Sequence, residues 1–226
     1  MSDKKLRHNT VPKEQGHNGF SDCYWQENYA NLDEMDGIYN ARDHAQYIKS
    51  IFTLDQIRIR SIADLGFGLG HLFAATLDTL KPYKSLGLEP SKSAFSQASR
   101  LLDRHRPTLL NCDLIRWCQD PAQHKRFDLG LCTSVLQYLS DEELAIVMPT
   151  LSLRFKYLYI TVPTTAEQQR FIDEYNFIDH YAYSRSQQQY LDLLQPHFTI
   201  VSSRILESKS FFSEKTSDFT ETLFRF

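Results

Sequence analysis

The sequence predicts an α/β domain built on a doubly wound, mostly parallel sheet of seven strands, with an antiparallel last strand and helices on both faces. Three observations point there. Short apolar runs of β type alternate with segments of helical period from about residue 60 to residue 163. A cluster of glycines occupies the turn after the first of these runs. Residues 140–143, Ser-Asp-Glu-Glu, read as a capping box that opens a helix soon after another strand-like run. Sheets of this kind are wound by right-handed crossovers and hold their ligands at the carboxyl ends of the strands.

Taken in chain order, residues 1–20 are polar, contain Pro12, Gly16 and Gly19 and show neither period, which predicts a flexible leader. One domain is expected over 21–226. Its first part, 21–57, crowds Tyr24, Trp25, Tyr29, Tyr39 and Tyr47 among acidic residues and is expected to form an aromatic lid, with Tyr47, Ile48, Ile51 and Phe52 marking the stripe of a helix. The first strand begins near Arg60 in RSIADLG. In the following HLFAATLDTL, Phe73, Leu77 and Leu80 recur at i, i+4 and i+7 as a helix requires. YKSLGLE is a second strand, and Ser91 is placed to cap a helix carrying Ala94, Ala98, Leu101 and Leu102. PTLLNCD, FDLGLCTSV and YLYITVP supply the third, fourth and fifth strands, the last ended by Pro163. Residues 164–186 exceed a plain connection and contain a helical signal, AEQQRFIDEYNF, which predicts an insertion over the site. QQQYLDLL reads as a helix. FTIVSSRIL and ETLFRF read as the last two strands, paired as an antiparallel hairpin because the polar segment between them lacks a helix.

Composition narrows the function classes. The 226 residues suffice for one substantial core, and 42% hydrophobic with 23% charged residues is ordinary for a globular protein. A formal charge of −3 lacks the electrostatic footprint of a protein that grips nucleic acid by its phosphates. No apolar segment follows the N-terminal lysines and no apolar run approaches membrane-spanning length, so a cytoplasmic protein without a membrane partner is expected. Cys23, Cys112, Cys118 and Cys132 form no Cys-x-x-Cys pair and the histidines are scattered, so reduced thiols and no metal site are expected.

Three of the eight glycines, Gly66, Gly68 and Gly70, stand at alternate positions between the first strand and its helix. Glycine there permits positive φ and lets ligand atoms approach the backbone. A dinucleotide fingerprint, Gly-x-Gly-x-x-Gly, would need a small residue at position 71, where the chain has His71. Instead it reads Asp64-Leu-Gly66-Phe-Gly68-Leu-Gly70. This ADLGFGLG resembles motif I of class I S-adenosylmethionine-dependent methyltransferases, a family with a Rossmann-like fold; FDLGLCTSVLQYLSDEEL, from Phe127 to Leu144, resembles the family's segment around strand four.

The resemblance implies S-adenosyl-L-methionine as cofactor, a methyltransferase activity, and a set of site residues. Asp64 would accept hydrogen bonds near the amino-acid end of the cofactor, with Gly66, Phe67, Gly68 and Gly70 forming the turn beneath it. Glu89, followed by Pro90, ends the second strand and would bind two ribose hydroxyls, although a ribose acid alone does not distinguish this cofactor from NAD. Asp113 and Leu114 correspond to the adenine element, with Asp113 as a plain helix cap the alternative. Cys132, Thr133 and Ser134 fall at the carboxyl end of strand four. Many relatives carry histidine where this chain has Gln137 or Tyr138, which weakens a histidine base at that place. Arg42 is a candidate for the cofactor carboxylate.

No catalytic base stands out. Methyl transfer from a sulfonium asks the protein mainly to position and desolvate. The candidate acceptor pocket comprises Tyr24, Tyr29, Gln137, Tyr138, His180 and Tyr181, with Trp25, Tyr39 and Tyr183 as further aromatic candidates; Asp33, Glu34 and Asp36 would favour an amine. A small-molecule acceptor methylated on oxygen or nitrogen is the leading expectation. An RNA or protein methyltransferase, a non-catalytic nucleotide-fold binding protein, and an NAD-dependent enzyme are the alternatives.

Overall fold

A computed structural model describes residues 37–123, 125–175 and 177–219. The leader, the segment carrying Tyr24, Trp25, Tyr29, Asp33, Glu34 and Asp36, Cys23, and the ETLFRF strand lie outside the described residues. Helix α1 (Ala41–Leu54) precedes β1 (Ser61–Asp64), and α2 (His71–Leu80) leads to β2 (Lys84–Leu88). Then come α3 (Lys92–Leu102), β3 (Thr108–Leu110), a short α4 (Leu114–Gln119) and β4 (Phe127–Thr133). Helix α5 (Asp141–Arg154) runs into β5 (Phe155–Thr161), followed by α6 (Thr165–Tyr175), α7 (Gln187–Leu194), β6 (Phe198–Ile200) and β7 (Ile205–Ser208).

The seven strands form one sheet in the order β3-β2-β1-β4-β5-β7-β6. The first five are mutually parallel, and β7 runs antiparallel to both β5 and β6. Strand β4 is nearly continuous in apolar residues because it is covered on both faces. One face packs against α4, α5 and α7 through Trp117, Leu144, Val147, Leu151, Tyr190 and Leu194. The other packs against α1, α2 and α3 through Ile48, Phe52, Phe73, Leu77, Ala98 and Leu102. These two apolar layers make the sheet a rigid platform whose strand tips are fixed relative to one another.

Local signals explain most boundaries. Ser91 Oγ accepts from Ala94 N–H at 3.3 Å and opens α3. Ser140 and Glu143 exchange side-chain to backbone hydrogen bonds as a capping box at the start of α5. The expected single strand FTIVSSRIL is a correction: it is two strands, β6 and β7, paired with each other. Ser202 turns the chain, its Oγ accepting from Ile205 N–H at 3.1 Å, while Tyr47 on α1 donates to the same oxygen at 3.0 Å. A side-chain oxygen that satisfies backbone donors offers the chain an alternative to extended pairing, and here it wins. No helix among the described residues is long and apolar enough to cross a membrane.

Candidate functional site

The tips of β1, β2 and β4 converge on the glycine turn. Register sets Asp64 beside Gly87 on one side and Leu131 on the other, so this carboxyl ends an interior strand of the sheet. The chain then crosses toward β2, with Leu65 N–H on Leu131 O at 2.9 Å and Phe67 N–H on Leu88 O at 3.0 Å. Phe67 turns its ring into the core beside Phe73 and Phe95, which leaves its backbone at the turn. Gly70 begins α2 at φ 80°, and a Cβ there would stand 3.0 Å from Ala98 Cβ, so both conformation and helix packing require glycine. Gly66 is required for another reason: its Cβ would approach Val135 Cγ2, beyond β4, to 2.6 Å.

Glu89 closes the turn from β2. Its Oε2 accepts from Gly68 N–H and its Oε1 from Ser91 N–H, each at 2.8 Å. One carboxyl thus joins the glycine turn to the start of α3. Asn111, past the end of β3, donates Nδ2 to Glu89 O at 2.8 Å and to Pro90 O at 3.1 Å, which fixes the third strand tip to the second.

Burial governs the electrostatics. Asp64 is 2% exposed and Glu89 4%, and neither forms an ion pair among the described residues. Desolvation pushes Asp64 from 3.8 to about 7; the Gly66 N–H opposes the rise, and the charge of Glu89 adds to it. Desolvation likewise pushes Glu89 from 4.5 to about 7 against the hydrogen bonds from Ser91 and Gly68. Two buried carboxyls without a counter-charge among the described residues suit a ligand that brings hydrogen-bond donors and positive charge.

Asp113 caps α4, its Oδ1 accepting from Arg116 N–H at 2.7 Å, and Leu114 turns its side chain into the core. Cys132 is fully buried and burial pushes its thiol up, so its side chain belongs to the core beneath Asp64. Thr133 pairs in register with Thr161 across the tips of β4 and β5, and Ser134 takes a φ of 54° with its N–H on Thr161 O at 2.8 Å. Tyr39 and Arg42 are exposed at the start of α1.

The turn after β4 and residues 164–186 are tied together. Gln137 is 3% exposed; its carbonyl accepts from Tyr183 N–H at 2.7 Å, and its Oε1 has no partner among the described residues. Tyr138 donates to Asp179 Oδ2 at 2.7 Å, and Asp179 Oδ1 accepts from Tyr181 N–H at 3.1 Å. His180 and Tyr181 are half-buried in the same segment. Arg185, 4% exposed, donates to Leu139 O at 2.7 Å and to Asp141 Oδ1 at 2.7 and 3.0 Å. Its guanidinium also lies over the Tyr183 ring, 5.1 Å from the centroid. The structure therefore brings Gln137, Tyr138, Tyr181 and Tyr183 to one flank of the carboxyl edge.

Sequence reasoning missed Arg185, Asp179 and Asn111. Asn111, inside PTLLNCD, and Asp179, beside His180, stood next to residues already singled out; Arg185 did not. Two hollows, of ≈ 200 and ≈ 260 Å³, lie at the opposite, amino edge of the sheet; the converging acids and glycines, not the size of a cavity, locate the candidate site.

No family model and no curated protein matches the sequence of this chain. Solved structures do resemble it. The plantazolicin methyltransferase BpumL in complex with SAH aligns with a TM-score of 0.64 at 16% identity, over 90% of this chain and 86% of that one. The methyltransferase domain of bacterial CtHen1 aligns with a TM-score of 0.56 at 14% identity, over 74% of this chain and 98% of that one. An S-adenosylmethionine-dependent methyltransferase from Clostridium acetobutylicum aligns with a TM-score of 0.56 at 15% identity, over 66% of this chain and 61% of that one. This chain thus spans less than two thirds of that last protein. The fold is the Rossmann-like fold of S-adenosylmethionine-dependent methyltransferases.

Proposed function

We propose that this protein is an S-adenosylmethionine-dependent methyltransferase acting on a small-molecule acceptor at oxygen or nitrogen. The observation that carries the reading is the pair of buried carboxyls, Asp64 and Glu89, which have no counter-charge among the described residues and sit on neighbouring strand tips around the turn from Gly66 to Gly70. The likeness in fold to an enzyme solved with SAH supports it.

The residues present fit this cofactor. Its ammonium supplies the positive charge that Asp64 lacks, and its ribose supplies hydroxyl donors for the lone pairs that Glu89 keeps free of Gly68 and Ser91. Asp113 would take the exocyclic amine of adenine, and the Leu114 N–H, in the first turn of α4, a ring nitrogen. When bound, the cofactor supplies an activated methyl group on a sulfonium. The protein's share is to hold the two reactants in line and keep water out. We assign that share on the acceptor side to Gln137, Tyr138, His180 and Tyr181, with residues 164–186 as a lid held by Arg185. A nucleophile that is already unprotonated at the reacting atom needs no base, and one that carries a proton must give it to a base or to water as the carbon–sulfur bond breaks and the new bond forms.

The net charge of −3 and the aromatic flank favour a small acceptor over nucleic acid. Calorimetric titration with S-adenosylmethionine, S-adenosylhomocysteine and NAD tests the class. Binding of the first two and not of NAD is the expected result; affinity for NAD alone would overturn the reading.

A further inference from the structure

The hollow of ≈ 200 Å³ at the amino edge of the sheet lies at the other end of the strands from Asp64 and Glu89. It is formed by the end of α1, the residues leading into β1 and those between α2 and β2. Among the described residues three cations line it, Lys49, Arg58 and Lys81, and no acidic residue does. None of the three forms an ion pair among the described residues. Like charges gathered in one concavity repel, so the arrangement favours an anion.

A further observation points to a ligand. Arg58 also borders the neighbouring hollow, whose lining includes Asp55, Asp128 and Asp218. Yet its Nη2 donates to Tyr83 Oη at 2.9 Å and its guanidinium lies 5.7 Å from the Tyr83 ring centroid, on the cationic side. Tyr83 is 79% exposed, so this ring is a plate held in place by a cation and open to solvent. Lys81 closes α2 in the left-handed conformation, φ 49° and ψ 57°, where glycine is the usual residue. Cations near the ends of α1 and α2 also complement the helix dipoles, but that role requires no exposed aromatic plate.

We propose that this hollow is a second binding site, for a nucleoside phosphate, with the phosphate among Lys49, Arg58 and Lys81 and the base stacked on Tyr83. Stacking on an aromatic face beside cations is how a nucleotide is held without reading its base edges. The site stands independently of the methyltransferase reading.

Calorimetry on the full chain at low salt tests it, with inorganic phosphate, uridine 5′-monophosphate and a 5′-phosphorylated oligouridylate as probes. Uridine monophosphate should bind about tenfold more tightly than phosphate. The Lys49→Gln/Lys81→Asn variant, in which asparagine tolerates the left-handed position, should weaken it by about tenfold or more. Tyr83→Ala should bring it down to the level of phosphate. Affinity for S-adenosylhomocysteine should be the same in all of these proteins; if the parent protein does not bind that compound, the methyltransferase reading fails while the nucleotide result stands. Tighter binding of the oligonucleotide than of the monophosphate assigns a nucleic-acid strand as the source, and equal binding assigns a free nucleotide. Absence of uridine monophosphate binding at millimolar concentration, or binding unchanged in the double variant, would overturn the proposal.

Discussion

Replacing Glu89 with glutamine keeps the shape of the side chain and removes its charge together with one of two acceptors. Both oxygens are engaged, by Gly68 N–H and Ser91 N–H at 2.8 Å. The amide can serve one of these and turns its own NH₂ toward the other, and a buried donor left unsatisfied costs about 1–3 kcal/mol. A second term has the opposite sign. Because burial raises the carboxyl from 4.5 to about 7, ionised Glu89 destabilises the fold. This penalty is absent below pH 4.5, grows as pH rises, and is complete above about pH 7. At 1.36 kcal/mol per pH unit its full size is on the order of 3 kcal/mol. Glutamine never carries it. The variant should therefore be the less stable protein near pH 4.5 and should draw level with, or pass, the parent at pH 8. Binding should behave otherwise: at pH 8 the affinity for S-adenosylhomocysteine should fall by about 1.5–3 kcal/mol, or roughly ten- to 150-fold. Urea denaturation at the two pH values and calorimetry at pH 8 measure both effects. An unchanged dissociation constant removes Glu89 from the site, and a stability difference independent of pH refutes the burial argument.

Gly66→Ala should cost about 1–3 kcal/mol through the 2.6 Å approach of its Cβ to Val135; adding Val135→Ala should recover part of that in denaturant titrations, and a purely additive pair would show that the contact is not the cause. Arg185→Met should lower stability by about 2–3 kcal/mol because the Leu139 carbonyl loses its buried partner. Asp141→Asn, at the exposed end of the same contact, should change stability by less than about 1 kcal/mol. Affinity for S-adenosylmethionine should rise with pH up to about 7 and then level off, since a cationic, donor-rich ligand selects the ionised forms of Asp64 and Glu89. Titrations in buffers of differing ionisation enthalpy should detect the released proton, and a flat profile between pH 5.5 and 8 would contradict it.

Much of the framework was legible because local signals and packing demands agree. The helix at His71–Leu80 was bounded by glycine on one side and proline soon after the other, and its stripe faces the sheet. Asp64, Glu89 and Asp113 could be singled out as candidates because each ends a strand-like run, where this architecture puts its chemistry. The failures came where distant partners decide. FTIVSSRIL looks continuous in sequence, and the contacts of Ser202 with Tyr47 on α1 and with the Ile205 N–H, together with the Val201 and Ser202 N–H groups on Ile205 O, make it two strands. Helix α4 has six residues, too few to display a period. The conformational need for Gly70 could be read from its place before a helix, but the need for Gly66 depends on Val135, across the sheet. Arg185 left no trace because its carbonyl partner, Leu139, and its acid, Asp141, are assembled only by folding.

The attachment through Arg185 has an implication for redesign. Helix α6 buries none of its own residues, while the stretch after it is bolted to the β4 turn by Arg185 and by the Tyr138–Asp179 bond. The outer surface of this segment can therefore be rewritten with little effect on the sheet, much as a gripper is exchanged on an unchanged robotic arm. A combinatorial library confined to the exposed positions of residues 165–175, with Asp179 and Arg185 left alone, would test whether this segment chooses the acceptor, on a scaffold whose stability stays nearly constant.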